Sequence, residues 1–509
     1  MKLENFDLWC KIFEYIDIID RRCFLSVNRQ VLMTAFYRFS YHCSQEQQQI
    51  IYGICFTKNN FIITGRPGTG KSYLILIALK LLTWMGIVCQ TSAYTGIAAV
   101  NCEGQTLHQL FPLHKYNECW DERNNCPLRK HIHRDIPPFE ILFLDEVSMI
   151  CPITADILEY LNKPYNIRIV CSGDFKQLPP VACKSKTRKY FFESILMANC
   201  IPKTLTKVFR QDNENFIQII NSVGDNDYDN NVWTFFAQRQ QAYLQLSDDE
   251  KLNIPHLYFD NKRVNEWNMK CFNQLQGQAT HVVPFILYIM KTTIFYETQD
   301  YKTEQIAIPA TIYDTLKKVR IFDVHMKIGM KLMLTKNFFD FPITSNKEQY
   351  DAIKADRDLK IKYTSIDLAN GTQGILLGIF EHGVLLFIKD YEVYFPLTFY
   401  RVQIEAKKTK HYRYNTIARV RYYPFVLCYA LTIHKSQGLT LDKAIMSLKN
   451  LSSPELCYVA ISRVKKLENL FLIDYGFPKK EFDNKLLKYF KDPLIFGSHK
   501  KHPMFEGFK

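Results

Sequence analysis

The sequence predicts an α/β protein whose central sheet is built from parallel, buried strands. Three apolar runs, at residues 60–64, 139–144 and 167–172, have the length of a strand, and polar loop residues follow each of them. Strands covered by helices on both faces are apolar throughout, so such runs are typical of a parallel sheet. The apolar stretch 73–82 predicts a buried helix after the first loop. Strand, loop and helix therefore alternate as an α/β fold requires.

The first loop, residues 65–72, reads Gly-Arg-Pro-Gly-Thr-Gly-Lys-Ser and matches the pattern G-x-x-x-x-G-K-S. In such a loop the main-chain N–H groups surround a β-phosphate, and glycines allow the close approach. Lys71 would reach the β- and γ-phosphate oxygens, and Ser72 would hold Mg²⁺. A chance glycine-rich turn is the alternative, which the flanking strand and helix disfavour. The loop residues predicted to contact a nucleotide are Gly65, Pro67, Gly68, Thr69, Gly70, Lys71 and Ser72.

The other two apolar runs end in residues suited to phosphoryl transfer. Asp145 and Glu146 follow the second run, where Asp145 would hold the metal and Glu146 would polarise the attacking water. An exposed acidic strand end is the alternative. The third run leads to Gly173-Asp174-Phe175-Lys176-Gln177. Gln177 could hydrogen-bond both the γ-phosphate and the water. The Pro-Pro that follows forces an extended backbone, which would help to hold the Gln177 side chain in one orientation.

Length and composition limit the class of protein. A chain of 509 residues predicts two to four domains, and 65 basic against 51 acidic residues, a formal charge of +14, suit a polyanionic partner. The sequence shows neither a transmembrane run nor a secretory signal. Its fifteen cysteines form no C-x-x-C pair, which predicts reduced thiols in the nucleus or cytoplasm. The spacing of Cys119, Cys126, His131 and His133 is looser than a zinc knuckle requires.

These three motifs, in this order, resemble those of the petite integration frequency (PIF) DNA helicases, superfamily 1 motors of the RecD-like 5′-to-3′ branch. Further matches extend the resemblance over roughly residues 44–475. They include Ser44-Gln45-Glu46-Gln47, which also predicts an S-x-x-Q capping box, and the stretch 430–442, whose Ala-Leu-Thr-Ile-His-Lys-Ser-Gln-Gly is the most distinctive. The turn at residues 258–261 departs from the family pattern.

The resemblance implies a domain map of two RecA-like P-loop NTPase lobes. Lobe 1A would cover residues 44–200, with a small wedge insertion near 109–135, and lobe 2A residues 201–338 and 424–475. An SH3-like β-barrel, subdomain 2B, would be inserted at 339–423. Residues 1–43 and 476–509 would lie outside the motor.

The resemblance also implies an ATP- and Mg²⁺-dependent helicase that moves 5′-to-3′ on single-stranded DNA and unwinds forked duplexes, in replication, repair or recombination. Gln47, Gln437 and Gly438 would contact the nucleotide, and Arg210 and Arg463 would act as arginine fingers beside Glu146 and Gln177. A pairing of Arg210 with Asp212 or Glu214, or an Arg463 that only covers a helix end, is the structural alternative.

Single-strand contacts are implied for short polar or basic side chains on both lobes. Most of these contacts would go to phosphates and would therefore be salt-sensitive. The basic aromatic stretch 407–423 would add stacking or would be a solvated hairpin. The residues implied are Thr95, Thr106 and His108 on lobe one, and Thr432, His434, Lys435 and Ser436 on lobe two.

Several alternatives remain open from the sequence. Residues 1–43 are helical by apolar spacing and are either a short F-box that recruits a ubiquitin-ligase adaptor or a helical pair packed on lobe one. The rival functions are an interaction protein with a non-unwinding ATPase and an RNA helicase. A monomeric motor is expected, and the few residues outside the motor would suit a viral or mobile-element enzyme, which would act in the host cell if it is viral.

Overall fold

The computed structural model describes residues 29–111, 113, 120–121, 126–127, 138–180, 188–282, 285–290, 293–296, 324–355, 364–368, 370–396, 398–404, 416–478 and 483–491. By packing, the chain divides into two compact units. The first combines Met1–Asp260 with Leu431–Lys509, and the second is Asn261–Ala430. The lobe boundaries implied by the resemblance remain a prediction.

The first unit is built around a six-stranded parallel sheet in the order β3-β2-β6-β7-β1-β8. Its strands are β1 (Asn60–Gly65), β2 (Cys89–Ala93), β3 (Gln105–Thr106), β6 (Ile141–Asp145), β7 (Arg168–Gly173) and β8 (Cys200–Leu205). The three apolar runs predicted as central strands are β1, β6 and β7. They lie side by side, with Phe61 opposite Val170 and Phe143 opposite Val170 on the other side.

Both faces of this sheet are buried, as its apolar strands require. Ile62 and Leu142 point into one hydrophobic cluster, and their neighbours Ile63 and Phe143 point into another. Side chains of successive strand residues alternate between faces, so each strand contributes to both clusters. Helices therefore cover the sheet on its two sides. They are α1 (Arg29–Phe39), α2 (Gln45–Phe56), α3 (Lys71–Trp84), α4 (Gly96–Asn101), α5 (Leu107–Leu110), α6 (Pro152–Asn162) and α7 (Ile195–Ala198).

The unit also contains a second, four-stranded sheet, in the order β23-β9-β24-β25. Its strands are β9 (His256–Tyr258), β23 (Ala430–Thr432), β24 (Ala444–Ser447) and β25 (Leu470–Asp474), and β24 is parallel to both β9 and β25. The remaining helices of this unit are α8 (Glu214–Gly224), α9 (Asn230–Leu244), α10 (Asp248–Asn253), α13 (Ile433–Ser436), α14 (Pro454–Ile461) and α15 (Asn484–Lys491), the last of which packs on the first sheet. Short 3₁₀ turns occupy Val147–Met149, Lys163–Tyr165, Phe191–Glu193 and Leu467–Asn469.

The ends of the chain contribute helices to the first unit. Ala35 and Phe36 of α1 pack in the same cluster as Ile50 and Leu74. Leu486 and Tyr489 of α15 pack in the cluster on the opposite side of the sheet. Part of residues 1–43 is thus a helix on the first sheet, whereas residues 1–28 of the predicted F-box lie outside the described residues.

The predicted wedge and the predicted zinc spacing fall largely outside the described ranges. Within 109–135 the structure describes a two-stranded antiparallel pair, β4 (Trp120–Asp121) with β5 (Cys126–Pro127). Cys119, His131 and His133 are not among the described residues. The cysteines that are described form no disulfide. Within those same ranges, none of the helices combines the length and hydrophobicity that a membrane span requires.

The second unit is mainly antiparallel β-structure. Its largest sheet has the order β19-β18-β17-β14-β22, and Phe341, Leu386 and Phe395 belong to its core. The other sheets are β12-β11-β21-β20, β15-β16 and β10-β13. The strands are Thr280–Val282 (β10), Phe285–Met290 (β11), Thr293–Tyr296 (β12), Val324–Met326 (β13), Lys331–Leu334 (β14), Phe338–Pro342 (β15), Ser365–Leu368 (β16), Gln373–Phe380 (β17), Gly383–Ile388 (β18), Tyr391–Pro396 (β19), Thr398–Ile404 (β20), Thr416–Tyr422 (β21) and Phe425–Leu427 (β22), with helices α11 (Asn261–Gln274) and α12 (Lys347–Ala355).

Candidate nucleotide-binding site

The glycine-rich loop connects β1 to the N-terminus of α3, as the sequence predicts. Gly68 and Gly70 have φ values of 81° and 80°, in the left-handed region that L side chains avoid. Space is equally restrictive, because a Cβ on Gly68 would lie 2.5 Å from the Cβ of Arg210. The main-chain N–H groups of the first turn of α3 have no partner within the helix, which leaves them to bind an anion at this end.

Lys71 lies folded over the loop. Its Nζ donates hydrogen bonds to the carbonyls of Gly65 (2.7 Å) and Arg66 (3.1 Å). Burial lowers the pKa of Lys71, while the carboxylates of Asp174, Glu146 and Asp145 act in the opposite direction. A buried ammonium group surrounded by acceptors is suited to compensating phosphate charge.

Ser72 and Asp145 bring two oxygen ligands together at the ends of α3 and β6. The Ser72 hydroxyl donates to Asp145 Oδ2 at 2.6 Å, and the hydroxyl of Ser172 donates to Oδ1 of the same carboxylate. Hydroxyl and carboxylate oxygens are the ligands that Mg²⁺ prefers. The residues present therefore fit the metal that the sequence predicts at this point.

Glu146 follows Asp145 in a left-handed backbone conformation, with φ of 53°. One of its carboxylate oxygens accepts a hydrogen bond of 3.1 Å from the Nε2 of Gln437, a residue 291 positions away in the chain. Burial, and next the charge of Asp145, raise the pKa of Glu146. A carboxyl group with a raised pKa is a better proton acceptor than an exposed one, which suits a catalytic base.

Gln177 is buried in the turn after β7. Its Nε2 donates to Asp174 Oδ2 at 3.4 Å, and its Oε1 accepts a weak bond of 3.5 Å from Arg463. Asp174 also accepts a hydrogen bond of 3.0 Å from the hydroxyl of Tyr458. The turn that carries Gln177 is thus bonded to the segment that carries Arg463.

Arg463 lies at the end of α14, in a fully buried position with only 1% of its surface exposed. Its Nε donates to the carbonyl of Val459 at 2.8 Å, so it does cover the end of that helix. The rest of the guanidinium reaches Gln177 across the site. Burial, with a further contribution from Arg210, lowers the pKa of Arg463 to about 9.

Arg210 reaches the same place from the segment after β8. It donates to the carbonyl of Ser462 at 3.1 Å. Burial lowers the pKa of Arg210, and the charge of Glu146 acts against that shift. The hydrogen bond of Arg210 is therefore directed toward the Arg463 segment, unlike in the helix-surface alternative with Asp212 or Glu214.

These groups line a single cavity of about 310 Å³. Each of the three predicted motifs contributes to its wall, as do both arginines and Gly438. The lining residues are Pro67, Gly68, Gly70, Lys71, Ser72, Tyr73, Ala98, Asn101, Asp145, Glu146, Gln177, Phe209, Arg210, Gly438 and Arg463.

Gln47 lies beside the loop but is not among the residues that line this cavity. It belongs to the predicted capping box, which is present: Ser44 N–H donates to Gln47 Oε1, and Gln47 N–H donates to the Ser44 hydroxyl. Gln47 Nε2 donates to the carbonyl of Thr69 at 3.3 Å. Gln47 therefore stabilises the main chain of the glycine-rich loop at Thr69.

The three candidate strand-contacting residues of the first sheet lie close together. Ala93 of β2 is opposite Thr106, the last residue of β3, so Thr106 and Thr95, two residues after β2, lie at the same end of neighbouring parallel strands. Thr95 accepts a hydrogen bond from Ala98 N–H, and Thr106 donates to Gln109. His108 is exposed and lies edge-to-face with Tyr94 at 5.6 Å.

The four candidates of the second sheet differ in exposure. Thr432 is buried, and its hydroxyl accepts from Lys435 N–H as the cap of α13. Ser436 is completely buried and donates to the carbonyl of Ile433. His434 is exposed and Lys435 is half-buried. Among the four, only the exposed His434 and the half-buried Lys435 therefore have side chains that solvent reaches.

Several residues that the sequence analysis did not assign complete the site. Ser172 bonds Asp145, and Gln211 donates to the carbonyls of Ser462 (3.5 Å) and Val464 (3.0 Å) on either side of Arg463. Asp174 and Tyr458 lie within recognised motifs, but nothing in their local sequence indicates that they meet. Their partners are distant in the chain, so only folding brings them together.

Comparison with known proteins finds similarity to one family. The family model described as PIF1-like helicase matches residues 42–232. The chain is 26% identical over 457 residues to the ATP-dependent DNA helicase PIF1 of Homo sapiens, covering 88% of this chain but 63% of that protein. It is 25% identical over 473 residues to the ATP-dependent DNA helicase Pif1 of Campylobacter jejuni, covering 87% of this chain and 95% of the relative.

Solved structures show the same fold. The Pif1 helicase of Candida albicans superposes with a TM-score of 0.63 at 23% identity, over 89% of this chain and 99% of the other. The Bacteroides Pif1 helicase in complex with ADP-AlF3 and ssDNA gives a TM-score of 0.64 at 20% identity, over 89% and 97%. The predicted RecA-like α/β fold is confirmed at this level. In its motifs, in its family-model match over residues 42–232 and in its fold, this chain is similar to the PIF1-like helicases.

Proposed function

We propose that this chain is an ATP-dependent DNA helicase that moves along single-stranded DNA and unwinds duplex. The observation that carries the proposal is that one cavity collects a phosphate-binding loop, two acidic residues and two arginines from across the chain. The family supports this, since the relatives named above are ATP-dependent DNA helicases. A nucleotide kinase would have no use for the stretch 430–442.

ATP would bind with its phosphates in the loop. Lys71 would exchange its carbonyl contacts for β- and γ-phosphate oxygens, and Ser72 and Asp145 would hold Mg²⁺, which would neutralise phosphate charge. Glu146 would orient and deprotonate the attacking water, held in place by Gln437. Gln177, which lines the same cavity and accepts a hydrogen bond from Arg463, would sense the γ-phosphate.

Arg210 and Arg463 would act as the two arginine fingers. A finger accelerates phosphoryl transfer by ~10³ to 10⁵ because it neutralises charge that grows in the transition state. Arg463 follows α14, a helix associated with the second sheet, and Arg210 bonds the residue before it. The glycine-rich loop belongs to the first sheet. Hydrolysis would therefore change the attraction between the two sheets and drive movement along the strand.

The DNA strand would pass over the edge formed by Thr95, Thr106 and His108 and over the exposed side chains of α13. We assign His434 and Lys435 to direct contacts there. Thr432 would act through the cap of α13, and the buried Ser436 through the turn. Such contacts are sequence-tolerant, so affinity should fall as salt rises. We propose 5′-to-3′ polarity on the resemblance alone.

The finer architecture also remains a proposal. The pair Trp120–Asp121 with Cys126–Pro127 supports a wedge near 109–135. The antiparallel strands between Gln373 and Pro396 support an SH3-like barrel within 339–423. The monomeric state, the nuclear or cytoplasmic location, the viral source and the ubiquitin-ligase adaptor for residues 1–43 stay predictions.

The first experiment is the steady-state ATPase rate with no nucleic acid, with single-stranded DNA and with single-stranded RNA at one salt concentration. Strong stimulation by DNA over RNA is expected, and Lys71→Ala should abolish turnover while keeping the fold. Duplexes with a 5′ or a 3′ tail then give the polarity. Equal stimulation by RNA would favour an RNA helicase, and stimulation by neither would favour an interaction protein.

A further inference from the structure

Tyr458 and Asp174 form a buried hydrogen bond that the proposed chemistry does not use. The Tyr458 hydroxyl donates to Asp174 Oδ2 at 3.0 Å, although 284 positions separate the two residues. Tyr458 is 0% exposed and Asp174 is 5% exposed. Hydrogen bonds to a charged group in a buried setting are stronger than average and costly to break.

Asp174 organises the turn that carries Gln177. Its Oδ1 accepts the Lys176 N–H at 3.0 Å, its Oδ2 accepts from Gln177 Nε2 at 3.4 Å, and its carbonyl accepts the Gln177 N–H at 3.0 Å. The same carboxylate oxygen therefore receives Tyr458 and Gln177. A shift of this carboxylate would move the amide of Gln177.

Tyr458 belongs to α14, which ends at Ile461, two residues before Arg463. Arg463 Nε donates to the carbonyl of Val459, the residue after Tyr458, and its Nη2 lies 3.5 Å from Gln177 Oε1. The helix thus contacts the Gln177 turn twice, once through Arg463 and once through Tyr458 and Asp174. Arg463 bonds the Oε1 of the Gln177 amide, and Asp174, which Tyr458 bonds, accepts from its Nε2.

The ring of Tyr458 is held in one place by its surroundings. A Cβ on Gly224, at the end of α8, would lie 2.6 Å from Tyr458 Cε2, so the ring packs directly on that backbone. Such a contact leaves little freedom for the hydroxyl to move independently of the helix. The bond to Asp174 therefore reports the position of α14.

We propose that Tyr458 is a positioning residue for ATP hydrolysis: through Asp174 it sets the orientation of Gln177 according to the position of α14, the helix that precedes Arg463. The inference rests on the proposed function, since it assigns Gln177 and Arg463 to the hydrolytic site. The competing explanation is that a buried tyrosine needs a partner for its hydroxyl. That explanation predicts lower stability and an unchanged rate per folded molecule.

The test is Tyr458→Phe, which removes the hydroxyl and keeps the ring. We expect kcat for DNA-stimulated ATP hydrolysis to fall about tenfold, the factor that corresponds to ~1.4 kcal/mol, with the KM for ATP and the affinity for single-stranded DNA unchanged. Tyr394→Phe is the matched control, because that tyrosine is buried and its hydroxyl has no hydrogen-bond partner among the described residues.

A double-mutant cycle separates positioning from packing. If the two groups act through one bond, Tyr458→Phe combined with Asp174→Asn should lose no more activity than Asp174→Asn alone. Thermal melting of each variant confirms that the folded protein is being measured. Multiplied losses in the double variant, or a kcat for Tyr458→Phe equal to that of the wild type, would overturn the inference. A wild-type protein without DNA-stimulated ATPase would instead remove the proposed function, and this inference with it.

Discussion

Arg210 donates a hydrogen bond of 3.1 Å to the main-chain carbonyl of Ser462, the residue that precedes Arg463. The adjacent Gln211 holds the carbonyls on both sides of Arg463, at Ser462 and Val464. The segment that carries one candidate finger thus fixes the backbone that carries the other. The positions of the two arginines are therefore coupled, and a substitution in one segment should shift the arginine in the other.

Replacing Arg463 by alanine should separate binding from turnover. A finger acts on charge that develops in the transition state, so ATP should still bind while kcat falls by ~10³ or more. ATP affinity by fluorescence titration and kcat by steady-state assay check this. Arg239→Ala is the control, since Arg239 also donates to a main-chain carbonyl, that of Leu467, but lies outside the site. Equal losses of affinity and turnover would mean that Arg463 is structural.

The pH dependence of turnover should reflect Glu146. Burial raises its pKa, so the carboxyl stays protonated at pH values where an exposed glutamate is ionised. If Glu146 is the base, kcat should fall on acidification at a pH above the ordinary glutamate range, and Glu146→Gln should be slow at every pH. The folded state also holds this proton more tightly than the unfolded chain, so ionisation of Glu146 lowers stability as pH rises. An acid limb in the ordinary glutamate range would contradict the assignment.

Gly68→Ala should damage the site more than the fold. The substitution places a side chain at a φ of 81° and brings its Cβ within 2.5 Å of the Arg210 Cβ. The backbone strain alone costs ~1–2 kcal/mol, and the contact would push Arg210 from its place. Gly329→Ala is a matched control, because its φ is 84° but nothing lies within 4 Å of the added Cβ. Both variants should lose similar stability by denaturant titration, and only Gly68→Ala should lose ATPase activity. Similar activities in the two variants would show that the contact does not matter.

Tyr489→Ala should destabilise the first unit through the C-terminal helix. The Tyr489 ring stacks on Phe192 at 4.3 Å and meets Phe175, two residues before Gln177, edge-on at 5.1 Å. Removing a buried aromatic ring costs ~3–5 kcal/mol, so the thermal midpoint should drop by several degrees. Lys488→Ala, at an exposed position of the same helix, should leave it unchanged. An unchanged midpoint in Tyr489→Ala would mean that α15 is not docked in solution.

The sequence by itself determined the local parts of this protein. The loop 65–72 requires only contiguous residues: an apolar strand, glycines that accept left-handed angles and a helix that begins at Lys71. Neighbouring residues likewise predict the capping box at Ser44 and Gln47, and they predict that β6 and β7 are buried. Short-range patterns of this kind depend on backbone preference and on burial of one element at a time.

The tertiary structure alone decided how these parts meet. Gln437 reaches Glu146 across 291 positions and Tyr458 reaches Asp174 across 284, and no local pattern indicates either pair. It also showed that Ser436 is buried, and that Asn484–Lys491 form a helix whose Tyr489 packs against Phe175, two residues before Gln177. Such contacts follow from sheet order and from the packing of whole helices, where the free energy is gained by many distant residues together.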